Sequence, residues 1–114
     1  EEWQEVFYGG RNAQRYLQVI IISMYEIQFS STYKKSIKRV RKGGKISMSE
    51  VDLVINTLAS GKPLSVKHRD HKLSGEFSMY RECHIKPDLL LIYQIKNDIL
   101  VLVLINIGSH SELF

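Results

Sequence analysis

The sequence predicts an α+β fold, in which a small antiparallel sheet of about four to five strands carries a two-helix hairpin on one face. Between residues 31 and 59 the apolar residues recur at helical spacing. From Leu73 onward they alternate or run continuously, as they do in strands. The intervening connections are short and rich in turn-forming residues, which favours antiparallel neighbours.

Residues 24–30 predict the first strand, because every second side chain from Tyr25 to Phe29 is apolar. Ser30 or Ser31 is the expected N-cap of a first helix, and Gly43 ends that helix together with the glycine that follows it. The hydroxyl of a capping serine accepts a hydrogen bond from a backbone N–H of the first turn.

A second helix is expected to begin at the capping box formed by Ser47 and Glu50. Its apolar side chains follow at intervals of three and four residues, which places them on one face: Val51, Val54, Ile55 and Leu58. Gly61 and Pro63 then end the helix.

The remaining strands are predicted from alternating or continuous apolar residues. They are Leu73–Phe77, Met79–Ile85, Leu89–Ile95 and Ile99–Ile107. Turn sequences at residues 86–88 and 96–98 join the last three strands into hairpins. Because side chains alternate along a strand, Glu82 and His84 project from one face, and Arg81 projects from the other.

The charge of the chain is concentrated in two basic clusters. At 114 residues with a formal net charge of +4, the chain is a single, moderately basic domain. The first cluster holds Lys34, Lys35, Lys38, Arg39, Arg41, Lys42 and Lys45, and the second lies at residues 62–72. Such clusters favour phosphate backbones or an acidic protein partner, and a solvated helix face with a basic loop is the plain alternative.

Other features exclude several classes of protein. Cys83 is the only cysteine, so the chain forms no intramolecular disulfide, and a cytoplasmic location is expected. Cysteine and histidine do not occur at zinc-ligand spacing, so we expect neither a metal nor another cofactor. The apolar runs are too short to cross a bilayer, and the acidic start is unlike a secretory signal peptide, so no membrane partner is expected.

The candidate chemistry lies in a group of imidazoles and carboxylates: His71, Glu82, His84, Asp88 and His110. Imidazoles on a basic protein suit proton transfer on an anionic substrate, which makes RNA the first substrate to consider. One group would take the proton of a 2′-hydroxyl, another would protonate the leaving 5′-oxygen, and a cation such as Arg81 would stabilise the phosphate. Taken singly, each residue also has a structural explanation, as an exposed strand residue, an ion pair or a turn residue.

Three ordered motifs carry a resemblance to a known family. They are Asp70-His-Lys-Leu-Ser-Gly75, then Tyr80-Arg-Glu-Cys-His-Ile-Lys-Pro-Asp-Leu-Leu-Leu-Ile-Tyr93, then Gly108-Ser-His-Ser-Glu-Leu-Phe114. Together they resemble the YafQ branch of the RelE/ParE toxin superfamily. The resemblance implies a toxin domain of RelE-like microbial RNase architecture at residues 24–114. Residues 1–23 lie outside it and are interpreted as an N-terminal extension of unknown role, either a leader or a segment foreign to the domain.

The resemblance implies a ribosome-dependent mRNA endonuclease, the toxin of a type II toxin–antitoxin pair, which inhibits translation without a metal. Its partners would be a RelB/DinJ-like antitoxin, mRNA in the ribosomal A site, and 16S and 23S ribosomal RNA. The chain would be a monomer alone and a hetero-oligomer with its antitoxin. The alternatives are a ParE-like toxin that binds DNA gyrase and a non-catalytic domain that binds an antitoxin. The three histidines favour the nuclease, because a gyrase binder does not need them.

By the same resemblance, the functional positions are His71, Glu82, His84, Asp88, His110 and Phe114. The histidines would share the general-base, general-acid and phosphate-contact roles, with His110 as acid and His71 as base. Asp88 would orient an imidazole, and Arg81 would stabilise the phosphate of the transition state. Phe114 would pack near the scissile nucleotides, and Lys34, Lys35, Lys38, Arg39, Arg41 and Lys42 would contact ribosomal RNA. Glu82 stands where many members have aspartate, which makes its role less secure than those of the histidines.

Overall fold

The structure, a computed structural model, describes residues 24–114. Its strands are β1 (Glu26–Phe29), β2 (His71–Lys72), β3 (Arg81–Lys86), β4 (Leu89–Lys96) and β5 (Val101–Gly108). Its helices are α1 (Ser31–Gly43), α2 (Met48–Ala59) and the short α3 (His110–Leu113). Two 3-10 turns, Val66–His68 and Gly75–Phe77, flank β2. The interpretation of residues 1–23 falls outside the described residues.

The predicted α+β class is confirmed, with one difference in the sheet. Its strand order is β1-β5-β4-β3-β2, and the β2–β3, β3–β4 and β4–β5 pairs are antiparallel. The β1–β5 pair is parallel, so the sheet is mixed rather than antiparallel throughout. Short connections dictate antiparallel pairing only between consecutive strands, whereas two helices separate β1 from the remaining strands.

The helix boundaries agree with the signals in the sequence. Ser30 caps α1, and its hydroxyl oxygen accepts a hydrogen bond from the Tyr33 N–H at 2.9 Å. Gly44 follows α1 in the left-handed region at φ 67°, which glycine adopts at no steric cost. Ser47 caps α2 by accepting from the Ser49 N–H at 3.3 Å.

The strand predicted at Leu73–Phe77 is wrong. The chain instead pairs at His71–Lys72 and then makes the 3-10 turn Gly75–Phe77. Gly75 has φ 66°, a left-handed conformation that interrupts an extended strand. Consequently His71 lies within β2 rather than before it, and the register places it opposite Glu82 on β3.

The hydrophobic core lies between the helices and one face of the sheet. Cys83, Leu91, Tyr93 and Leu104 project from that face and pack with the apolar side of α2. Because neighbouring residues of a strand face opposite ways, Glu82 and His84 project from the other face. No helix within residues 24–114 is both long and apolar enough to cross a membrane.

Candidate active site

The centre of the site is the carboxylate of Glu82, whose side chain is only 6% exposed. Its Oε1 atom lies 3.5 Å from Nε2 of His71 and 3.6 Å from Nε2 of His84. Two regular features of the sheet produce this arrangement. His71 pairs with Glu82 across β2 and β3, and His84 follows Glu82 by two residues on the same face of β3.

Each of the two imidazoles is held through its other nitrogen. Nδ1 of His71 lies 2.8 Å from the Arg69 carbonyl oxygen, and Nδ1 of His84 lies 3.3 Å from the Pro87 carbonyl oxygen. A carbonyl oxygen only accepts, so both Nδ1 atoms donate, and each Nε2 atom is directed at Glu82. Each Nε2 atom faces the same carboxylate oxygen at ion-pair distance, an arrangement suited to proton transfer.

The two imidazoles differ in accessibility. The side chain of His71 is 52% exposed, whereas that of His84 is 14% exposed. The imidazole of His71 is therefore accessible to a substrate from the solvent, whereas most of the His84 side chain is covered by the protein.

His68 has a contact with the site that its sequence neighbourhood does not indicate, because it stands in a basic loop with no motif around it. Its Nδ1 atom lies 2.7 Å from the backbone carbonyl oxygen of His84 and donates to it. The hydrogen bond links that loop to β3 at the residue that carries the His84 imidazole.

The C-terminal turn brings His110 to the same end of the sheet. His84 pairs with Leu90, which pairs with Gly108, so the start of this turn lies two strands from His84, or about 10 Å. Ser109 caps α3 in a capping box with Glu112. Glu112 also pairs with Arg39 of α1 at 3.2 Å, which ties the turn to the first helix.

Asp88 has a different contact from the one that the resemblance implies. Its Oδ1 atom accepts a hydrogen bond from the backbone N–H of His110 at 3.1 Å, rather than from an imidazole. Asp88 lies in the turn between β3 and β4, so it links that turn to the first residue of α3. In the structure it positions the backbone that carries His110.

Phe114 belongs to a small aromatic cluster at the surface. Its ring centroid lies 5.6 Å from that of His110 and 6.2 Å from that of Phe77, the latter in an edge-to-face arrangement. Phe114 is 55% exposed, so one side of its ring remains open. An exposed aromatic ring beside an imidazole is suited to stacking on an unpaired base.

Arg81 lies on the opposite face of β3 from Glu82 and His84, and its contacts are structural. Its Nη2 atom lies 3.3 Å from Oδ2 of Asp70, and its Nε atom lies 3.3 Å from the hydroxyl oxygen of Tyr93. The Tyr93 hydroxyl in turn donates to Asp70. Burial raises the pKa of this hydroxyl above its ordinary value. The network holds Asp70, the residue just before His71, and gives the guanidinium a structural task besides the phosphate role predicted for it.

The first basic cluster is exposed on α1. Lys34, Lys35, Lys38, Arg39, Arg41 and Lys42 all present their side chains to solvent, and of these only Arg39 has an ion-pair partner within residues 24–114. Within the same residues, no group of three or more His, Cys, Asp or Glu side chains is arranged to hold a metal ion.

The thiol of Cys83 is expected to be unreactive in the folded protein. Cys83 is fully buried, and burial, with smaller effects of Asp70 and Glu82, raises the pKa of its thiol to about 12. An aromatic disulfide reagent should therefore modify it only after denaturation.

The raised pKa of the Cys83 thiol also makes stability depend on pH. The unfolded chain loses the thiol proton from about pH 9.0, whereas the folded chain keeps it. The free energy of unfolding should therefore fall as pH rises from 9.0 towards 12.

Two measurements check this prediction: the rate of thiol modification with and without denaturant, and unfolding curves on both sides of pH 9.0. Cys83→Ala is the control, because it should reduce the loss of stability at alkaline pH. Modification of the folded protein at the rate of a free thiol would contradict the prediction.

Comparison with known proteins identifies the family. The family model described as "Bacterial toxin of type II toxin-antitoxin system, YafQ" matches residues 25–114. The mRNA interferase toxin YafQ of Escherichia coli strain K12 is 31% identical over 90 residues, which span 78% of this chain and 95% of that relative.

Solved structures agree with this assignment. A metal-bound toxin from Helicobacter pylori is 43% identical, with a TM-score of 0.75 over 80% of this chain and 100% of that one. A chain of the E. coli DinJ–YafQ toxin–antitoxin complex is 30% identical, with a TM-score of 0.72 over 80% of this chain and 98% of that one. The resemblance carried by the three motifs is thus confirmed, and the chain belongs to the YafQ family of bacterial toxins of type II toxin–antitoxin systems.

Proposed function

We propose that this chain is a ribosome-dependent mRNA endonuclease that acts in the cytoplasm and inhibits translation by cleaving mRNA in the ribosomal A site. Homologues are named mRNA interferase toxins. The observation that carries the proposal is the position of Glu82 between Nε2 of His71 and Nε2 of His84. This arrangement supplies proton donors and acceptors without a metal ion.

In the proposed reaction, a 2′-hydroxyl oxygen attacks the neighbouring phosphorus. His71 accepts the hydroxyl proton at Nε2, because it is the more exposed of the two imidazoles beside Glu82. The bond between phosphorus and the 5′-oxygen breaks, and protonated His110 donates its proton to that oxygen. The products are a 2′,3′-cyclic phosphate and a 5′-hydroxyl. His84 contacts the phosphate, and Glu82 orients both imidazoles.

Further residues bind the substrate in this proposal. Phe114 stacks beside the scissile nucleotides, since its ring is exposed next to His110. The exposed cations of α1 contact 16S and 23S ribosomal RNA through phosphates, so that binding weakens as salt increases. Arg81 contributes to the positive potential, although its guanidinium is bound to Asp70. Asp88 acts as a positioning residue through the backbone of His110.

The proposed protein partner is an antitoxin. A homologue from E. coli was crystallised in complex with the antitoxin DinJ. We infer that this chain is a monomer alone and binds a RelB/DinJ-like antitoxin in a hetero-oligomer. Binding of DNA gyrase is the second candidate function, but it would give no role to the two histidines beside Glu82.

The decisive experiment uses ribosomes programmed with an mRNA and a primer-extension toeprint. The wild-type protein should cleave the mRNA in the A site, and a matched mRNA with 2′-deoxyribose at the cleaved position should stay intact because it lacks the nucleophile. If both mRNAs stay intact and the protein inhibits gyrase supercoiling, the second candidate replaces the nuclease. Toxicity retained by both His84→Ala and His110→Ala would also exclude the nuclease.

A further inference from the structure

A basic cavity of about 420 Å³ opens beside the candidate active site. Its lining includes Lys67, His68 and Arg69 from the loop before β2, Lys86 at the end of β3, and His84. We propose that this cavity binds a backbone phosphate of the RNA strand, next to the phosphate that is cleaved. The inference rests on the proposed function and adds a substrate subsite to it.

The charge of the cavity favours an anion. Lys67 and Arg69 have no carboxylate within 4.0 Å among residues 24–114. Lys86 pairs with Glu50 of α2 at 2.5 Å, and the hydrogen bond from Lys86 lowers the pKa of the Glu50 carboxyl. Within residues 24–114, two of the lining cations therefore have no ion-pair partner, and the third is paired with Glu50, the one acidic side chain among the lining residues.

The backbone of Arg69 supports a functional role for its side chain. Arg69 has φ 47° and ψ 44°, the left-handed region that a residue with a Cβ atom rarely adopts. Strained positions of this kind cluster at functional sites. The carbonyl oxygen of Arg69 accepts from Nδ1 of His71, while its side chain lines the cavity. A glycine would serve the backbone geometry better, and it would not supply the guanidinium.

The position of the cavity favours RNA over an acidic protein segment. His84 belongs to both the cavity and the candidate active site, and His68 donates to the His84 carbonyl oxygen between them. A strand whose reacting phosphate lies at His71 and His84 therefore passes this cavity. Lysine and arginine bind phosphate oxygens by charge-assisted hydrogen bonds.

The test is a titration, followed by NMR, of the protein with a short single-stranded RNA whose 2′-hydroxyls are all methylated, which prevents cleavage. We expect the amide signals of residues 67–69 and 84–86 to shift. The Lys67→Gln/Arg69→Gln double variant should bind about tenfold more weakly. Its plot of log affinity against log salt concentration should be shallower by about 0.7 for each phosphate that the variant no longer neutralises. Glu50→Gln should bind more tightly, because it frees Lys86.

Two controls separate the subsite from other effects. Lys62 belongs to the same basic cluster in the sequence but does not line the cavity, and its side chain is exposed. The Lys62→Gln variant should therefore bind RNA nearly as tightly as the wild type does. Arg69→Gly keeps the carbonyl oxygen and relieves the backbone, so it should fold at least as stably and yet bind RNA more weakly. Arg69→Lys keeps the charge and should retain most of the affinity.

Several outcomes would overturn the inference: unshifted amides at these positions, a double variant that binds like Lys62→Gln, or a double variant that loses affinity only for an acidic antitoxin. The proposed function is tested separately, because cleavage of mRNA on the ribosome by the wild type does not depend on these results.

Discussion

Replacing Glu82 with glutamine is expected to lower the rate of mRNA cleavage about 10²–10⁴-fold, because His71 and His84 lose the carboxylate that orients their imidazoles. The carboxylate is almost completely buried, and its Oε1 atom lies 3.5 Å from Nε2 of His71 and 3.6 Å from Nε2 of His84. Glutamine has nearly the same shape, so the fold should persist. Its amide has no charge and presents a donor group, so it does not hold two protonatable nitrogens in the same way.

Glu82→Asp is the matched variant, because it keeps the charge and shortens the side chain by one methylene. It should retain most of the activity, and both variants should unfold at a temperature close to that of the wild type. The measurement is the single-turnover rate of mRNA cleavage on programmed ribosomes. A glutamine variant as active as the wild type would show that this carboxylate has no part in the reaction.

Replacing Asp70 with alanine is expected to lower the free energy of unfolding by about 2–3 kcal/mol. The hydroxyl of Tyr93, on a side chain that is 1% exposed, would lose its acceptor, and Arg81 would lose its ion-pair partner. Most of the effect arises from the buried hydroxyl, because the Arg81–Asp70 pair is partly exposed and therefore weaker. The measurement is chemical denaturation at neutral pH.

Asp98→Ala is the control for this prediction, since Asp98 is exposed in the turn between β4 and β5, and its loss should change stability by less than about 0.5 kcal/mol. A double-mutant cycle with Tyr93→Phe tests the cause. Asp70→Ala should destabilise the Tyr93→Phe protein by clearly less than it destabilises the wild type. Equal losses in both backgrounds would show that the two groups are not coupled.

Much of the fold could be predicted from local features. Ser30 and Gly44 marked the ends of α1 because capping depends on residues within one turn. The alternation along β3 placed Glu82 with His84 and Arg81 on the opposite face, although Arg81 was still predicted to stabilise the reacting phosphate. The parallel pairing of β1 with β5 had no local signal, because those strands are distant in sequence.

The site was only partly predictable, for the same reason. The residue types and their ordered motifs pointed to His71, Glu82, His84, Asp88 and His110, and the comparisons identified the family. Because the strand was predicted at Leu73–Phe77, His71 lay outside it, and its pairing with Glu82 was not predicted. The contact of Asp88 with the backbone of His110 joins residues 22 positions apart, which no spacing rule anticipates.

The sequence by itself determined the family, the helices with their caps and which side chains share a face of β3, because these depend on motif order and on the periods of helix and strand. The tertiary structure decided what the functional side chains contact. It placed two imidazoles on one buried carboxylate, bound Arg81 to Asp70 and Tyr93, and lined a basic cavity with the loop before β2. Each of these contacts joins different strands or loops, and their separation is set by strand register and packing rather than by neighbouring residues.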